Sequence, residues 1–171
     1  VPTLDDDHWT NIKEIGGGRI VGEAVHAIDL ACYLFDSLPQ SISANAPIDK
    51  IKNKAKDNQV FLNINFANGA HAALQYFSEA NNILSKERLE VHGGGNSYIL
   101  EDFKMLRYLE GSVDRSKTFS SGKGHKESLQ VFFDYVRDKS QNPFTWEEIK
   151  AVSKAAIIAQ DFINSGQHHR V

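Results

Sequence analysis

Five side chains able to do chemistry recur at helical spacing in the stretch GGGRIVGEAVHAIDLACYLFD, which runs from Gly16 to Asp36. At about 100° per residue, Arg19, Glu23, His26, Asp29 and Tyr33 fall on one side of a helix, with Gly22 among them. His26 lies near the middle of that side. Glu23 and Asp29 stand one turn before and after it, where either carboxylate could orient the imidazole or raise its basicity. Gly22 removes a side chain that would block approach to the ring. A general base is one reading of this spacing; a solvated helix face with an ordinary histidine is the other.

The three glycines ahead of the helix invite comparison with a phosphate-cradling loop. A dinucleotide fingerprint needs Gly-x-Gly-x-x-Gly directly after a buried parallel strand, inside a βαβ unit with an acidic residue about 20 positions on. Here the preceding DHWTNIKEI is polar and poorly alternating, and the segments after the helix read as antiparallel. Gly16 to Gly18 are therefore expected to allow a tight turn and close backbone approach, and Gly93 to Gly95 a turn between strands. A Glu-x-x-His pair also occurs in carboxylate-bridged metal sites, but those need matching pairs from other helices. Neither later helix supplies one, and the remaining histidines, including His168 and His169, lack ligand spacing, so no metal site is expected. No Gly-x-Ser-x-Gly elbow appears, and Cys32 falls on the apolar helix face, the place of a small buried hydrophobe.

The elements that must hold these residues follow from periodicity. Val21, Ala24, Val25, Ile28, Ala31, Cys32 and Phe35 recur at helical spacing, so Arg19 to Asp36 is expected to be an amphipathic helix. Residues 1 to 15 read as a lead-in loop with Trp9 its large anchor. In NQVFLNINFANGAHAALQYFS, two period-two runs, Val60 to Phe66 and Ala70 to Tyr76, are joined by Asn68-Gly69, which predicts a hairpin. Strands are expected near Arg88 to His92, Ser97 to Glu101 and Met105 to Leu109, with turns at GGGN and DF. Leu129, Phe132, Phe133 and Val136 restore the helical period after Gly124. A last helix begins at Thr145 with a T-x-x-E capping box and is stopped by Gly166. The order predicts an α+β two-layer sandwich, a mostly antiparallel sheet with helices on one face.

Composition bounds the function. With 171 residues, 41% of them hydrophobic, the chain is long enough to bury a core, and its length suits one domain over residues 1 to 171. A net charge of -3 leaves no basic field for a nucleic-acid backbone, so no nucleic-acid partner is expected. No apolar run approaches the roughly 20 residues that span a bilayer, and the start has no signal-peptide pattern, so no membrane partner and a cytoplasmic location are expected. The chain begins at Val1 rather than Met, which implies that it was cut from something longer.

The run HWTNIKEIGGGRIVGEAVHAIDLACYLF resembles the start of the C-terminal domain of the glucose-fructose oxidoreductase/inositol dehydrogenase (Gfo/Idh/MocA) family. The segments FANGAHAALQYFS, KERLEVHGGGNSYILEDF, GKGHKESLQVFFDYVRD and FTWEEIKAVSKAAIIAQDFINSG agree with that family in order, so the similarity covers nearly the whole chain. It is most similar to the branch associated with bacterial polysaccharide and sugar-nucleotide metabolism. The resemblance implies a substrate-binding and dimerisation domain whose N-terminal Rossmann partner, holding NAD or NADP and a Glu-Lys-Pro lysine, is absent from this chain. It places the family's catalytic histidine at His26, as acceptor of a hydroxyl proton from a sugar or cyclitol. Arg19, Glu23, Asp29 and Tyr33 would bind or support substrate, together with Lys86 and His125, which resemble recurring family positions. Many members have an Asp one turn before the histidine. Gly22 stands there instead, beside Glu23, so that pairing is not carried over. Lys86 with Glu87 could equally begin an exposed strand, and His125 cap its helix. The expected whole is half of an NAD(P)-dependent dehydrogenase, inactive alone and paired as a homo-oligomer through its sheet. The alternative is a non-catalytic module of the same fold.

Overall fold

The computed structural model describes residue 9 and residues 12–49, 54–55, 57–81, 83–119 and 124–165. They belong to two compact units, Val1–Ala80 with Phe144–Val171, and Asn81–Pro143. The stop expected at Gly166 and the tail histidines lie outside the described residues, as does most of the lead-in loop.

In the first unit a single turn, α1 (Lys13–Gly16), leads into Gly17 and Gly18, both at positive φ. A π-helical turn over Ile20–Ala24 then runs into α2 (Val25–Phe35). The chain continues as β1 (Pro39–Asn45), a two-stranded ladder of β2 (Ile48–Asp49) and β3 (Lys54–Ala55), and the hairpin β4 (Gln59–Phe66) and β5 (His71–Phe77). The antiparallel order is β1-β4-β5, with Ile42 opposite Ile64 and Leu62 opposite Leu74. Alternation decides which face is covered: Val60, Leu62, Ile64 and Phe66 are buried while Phe61, Asn63 and Asn65 are exposed. A one-residue slip would expose all four apolar chains, each worth about 1.5–3 kcal/mol when buried, so the register is strongly specified.

The expected Asn68-Gly69 turn is present. Asn68 Oδ1 accepts the Ala70 N–H at 3.0 Å, and Asn68 Nδ2 donates to the Phe35 carbonyl at 2.9 Å, tying the hairpin to the end of α2. The Phe35 and Phe66 rings meet edge-on at 5.0 Å. Helix α4 (Trp146–Asn164) opens on the expected Thr145–Glu148 capping box and packs on β1, α2 and the π turn. Half of its buried stripe is alanine, Ala155, Ala156 and Ala159, which lets the helix lie close.

The second unit is a meander, β6 (Arg88–Gly93), β7 (Asn96–Glu101), β8 (Met105–Glu110) and β9 (Val113–Thr118), followed by α3 (His125–Val136). Its turns fall where expected, with Gly94 and Gly95 at φ +58° and +80°, and Asp102 and Phe103 at +49° and +54°. None of its described residues is fully buried. Four strands were not anticipated: β1, the two-residue β2 and β3, and β9. Every residue of β9 is exposed, so no apolar alternation marks it; β1 has one buried residue, Ala44, in a run otherwise half-buried or exposed. The architecture is the expected α+β class, antiparallel sheet with α2 and α4 on one face of the first sheet.

Candidate functional site

The glycine turn is shaped by the protein's own side chains. The N–H of Arg19 donates to Asp57 Oδ2 at 3.1 Å, and that of Ile20 to Gln160 Oε1 at 3.1 Å. These are the first donors of a helix start, the groups that would hold a phosphate. Both are already taken, so the described residues do not fit the phosphates of a dinucleotide here. Gly18 is required by Gln160: at φ +96°, a Cβ would stand 2.4 Å from Gln160 Cδ. Close approach, as the sequence predicted, is what the glycine provides.

Within the helix the π turn closes when the Val25 N–H donates to the Ile20 carbonyl five residues back. It changes the facing of what precedes α2. His26, Asp29 and Tyr33 share the outer face of α2, all exposed, with Tyr33 at 81%. Glu23 is half-buried, and Arg19, which uniform α spacing put on that outer side, is only 1% exposed. The wheel failed there because residues 20–24 do not advance by 100° each. Among the described residues neither Glu23 nor Asp29 hydrogen-bonds the imidazole. Gly22 opens space one turn before His26, for a Cβ there would meet only the Gly16 carbonyl oxygen, at 3.8 Å.

Beneath this face lies a polar group that the spacing of the helix did not disclose. Tyr76, on the inner side of β5 opposite Val60, places its hydroxyl under the influence of Arg19, Glu23 and Asp57. Burial raises the phenol's pKa, and the Arg19 charge only partly offsets it. The guanidinium acts on this hydroxyl through a side-chain hydrogen bond as well as its charge, and Tyr76 Oη, Arg19 Nε and Arg19 Nη1 are buried with no further partner among the described residues. Gln160 and Tyr76 carried a signal in the sequence, since each is polar within an otherwise apolar stripe. Asp57 carried none. Cys32 is buried as expected, its thiol pushed up to about 11 first by burial and then by the Asp29 charge.

Lys86 and His125 are exposed and belong to the second unit. Lys86 and Glu87 lead into β6, an edge strand with no buried residue, as the alternative reading had it; Glu87 is half-buried and its carbonyl accepts the Asp102 N–H at 2.7 Å. Among the described residues no group of three or more His, Cys, Asp or Glu side chains could hold a metal ion, and no helix is long and apolar enough to cross a membrane.

Residues 1–99 match the family model of the GFO/IDH/MocA C-terminal domain. No curated protein matches the chain. Among solved structures it is similar to an aldose-aldose oxidoreductase from Caulobacter crescentus complexed with glycerol, with TM-score 0.78 and 13% identity over 99% of this chain and 52% of that one. It is similar also to a UDP-N-acetylglucosamine 3-dehydrogenase from Acidithiobacillus ferrooxidans, with TM-score 0.70 and 15% identity over 85% of this chain and 48% of that one. A biliverdin reductase from Synechocystis, in complex with biliverdin and NADP+, gives TM-score 0.71 and 18% identity over 91% of this chain and 49% of that one. The chain thus spans about half the length of each.

Proposed function

Because the chain belongs to the Gfo/Idh/MocA family as a C-terminal domain, we propose that it is the substrate-binding half of an NAD(P)-dependent dehydrogenase acting on a CH–OH group. The substrate class is a sugar, sugar nucleotide or cyclitol, and the setting is cytoplasmic. One observation carries this reading: His26 stands exposed on α2 beside Asp29, above a turn held rigidly by Asp57 and Gln160. A general base must be open to substrate yet fixed in place, and that combination meets both demands.

The nicotinamide, when bound, supplies the hydride acceptor, and it is held mainly by residues outside this chain. The chain's own part is to present His26 to the substrate hydroxyl and take its proton. Asp29, one turn on, carries the negative charge that favours the resulting imidazolium. Arg19, Glu23 and Tyr33 support substrate binding beside His26, Arg19 from beneath the helix, while Lys86 and His125 are separate candidates on the second unit. A sugar substrate is supported by two of the relatives named above, while the biliverdin reductase is a reminder that fold alone does not select it.

Replacing His26 by Ala in the full-length enzyme tests the assignment. Turnover should fall roughly a hundredfold to ten-thousandfold with much less change in substrate affinity. The lack of a hydrogen-bonded carboxylate on His26 favours a second reading, a non-catalytic module of the same fold, and a full-length His26→Ala protein with near-normal turnover would select against catalysis here. Calorimetric titration of this chain alone with NADH should show no tight binding; micromolar affinity would overturn the half-enzyme reading.

A further inference from the structure

Asn68 and Gly69, the only Asn-Gly pair in the sequence, close the β4–β5 hairpin beside the end of α2. Asn68 Oδ1 accepts the Ala70 N–H at 3.0 Å, and Nδ2 donates at 2.9 Å to the carbonyl of Phe35, the last residue of α2. The Asn68 N–H donates to Ser37 Oγ at 3.2 Å, and the Ala67 N–H to the Leu38 carbonyl at 3.1 Å. The hairpin tip is thereby tied to the end of the His26 helix. Helix α2 has no basic residue in its last turn, so the Asn68 amide meets a carbonyl left over at the helix end.

The same pair is chemically reactive. Gly69 has no Cβ, and nothing stands within 4 Å of where one would be, so its backbone nitrogen is sterically open to the Asn68 carboxamide. When that nitrogen, its proton given up to hydroxide, attacks Asn68 Cγ, a C–N bond forms, the Cγ–Nδ2 bond breaks and ammonia leaves. Water then opens the cyclic imide at either carbonyl, leaving aspartate or, with the main chain rerouted through the side chain, isoaspartate. Water is the only co-reactant. Folding opposes the attack, for the Gly69 N–H donates to the Phe66 carbonyl at 3.0 Å and both polar atoms of the carboxamide are engaged. Asn63 and Asn65, by contrast, precede the bulky Ile64 and Phe66 within β4.

We propose that Asn68 is a site of spontaneous deamidation, held unreactive by the hairpin–helix junction, and that its conversion releases the hairpin tip from the His26 helix. The product has no Nδ2 donor. A carboxylate oxygen faces the Phe35 carbonyl instead, adding negative charge where the helix dipole is already negative. Isoaspartate also inserts a methylene into the main chain of a turn that sets the β4–β5 register. The site requires neither cofactor nor turnover, so it stands apart from the dehydrogenase reading.

Peptide mapping by mass spectrometry tests it on the full-length protein, incubated at mildly alkaline pH in buffer or in urea. In urea, deamidation at Asn68 should outrun that at Asn63 and Asn65 and yield both products. In the folded protein it should be slower by roughly tenfold or more, because opening must first break the bonds to Phe35 and Ala70. An unreactive Asn68 in urea would overturn the site, and equal rates in the two states would overturn its protection by the fold. Asn68→Asp supplies one product directly. Hydrogen exchange at its Ala67 amide should quicken roughly three- to tenfold, the scale of one lost hydrogen bond, and unchanged exchange would overturn the release. Should that variant fail to fold, the deamidated fraction of aged wild-type protein, separated by anion exchange, gives the same reading.

Discussion

Gln160 Oε1 accepts the N–H of Ile20 at 3.1 Å across 140 residues of chain, joining α4 to the turn that opens the His26 helix. The bond is buried, and Gln160 itself is only 4% exposed. It fixes the helix start from the opposite end of the sequence. The same amide occupies the space that any side chain at position 18 would need.

Gly18→Ala should therefore destabilise the protein by about 2–4 kcal/mol, combining a left-handed backbone with an overfilled contact. Gly22→Ala should do the reverse, raising stability by about 0.5–1 kcal/mol, since the position is helical and open. Urea unfolding of both variants checks this. Equal effects would mean that Gln160 does not set the turn.

The start of α4 should respond to pH. Glu148 Oε2 accepts the Thr145 N–H at 2.7 Å and the Thr145 hydroxyl at 2.8 Å, and these bonds lower the carboxyl's pKa from its ordinary 4.5. A depressed folded pKa contributes stability that is complete above the unfolded value and lost as pH falls through the folded one. Thr145→Ala should cost about 0.5–2 kcal/mol at neutral pH. Its deficit should narrow once the pH drops below 4.5, where the carboxylate takes up a proton. Thermal melts at neutral and acid pH would show a constant gap if the capping box were absent.

Cys32 should be inert in the folded protein. With its pKa near 11 and its side chain buried, almost no thiolate is available at pH 8. A chromogenic disulfide reagent should react with Cys32 far more slowly in the native state than in urea. Rapid native labelling would contradict the packing of α2.

The outer sheet face should mediate association of two copies. Phe61 and Phe77, each 39% exposed, meet edge-on at 5.5 Å at one corner of a face that also bears Ala73 and the polar Asn63, Asn65, His71 and Gln75. Analytical ultracentrifugation at tens of micromolar should show a dimer in the wild type, weakened in Phe61→Ser. A monomer at that concentration would rule out this face as the interface.

The residues that could be read directly were those whose surroundings are local or periodic. The β4–β5 hairpin was legible because Val60 to Phe66 alternate strictly and Asn68-Gly69 offers one turn geometry. The capping box was legible because Thr145 and Glu148 are three apart. Arg19 was misplaced because its facing depends on a π turn, which no apolar spacing signals. Asp57 was invisible because its role is set by Arg19, 38 positions away. His26 was found by type and spacing, but the groups that fix its helix, Asp57 and Gln160, belong to distant segments brought together only by folding.

The first unit is built from both sides of the second, which occupies Asn81–Pro143. Synthesis runs from one end, so β1, β4 and β5 leave the ribosome well before α4. Their inner face waits for Val152, Ala156 and Ile163 while the whole intervening segment is made, several seconds at about 5–20 residues per second. During that interval the strands carrying Leu62, Ile64 and Phe66 have α2 but not α4 to cover them, and the nascent chain is open to chaperones and to misassembly. Vectorial synthesis thus makes the final helix the latch of the unit that carries His26, and a premature stop before α4 would release a product unable to close.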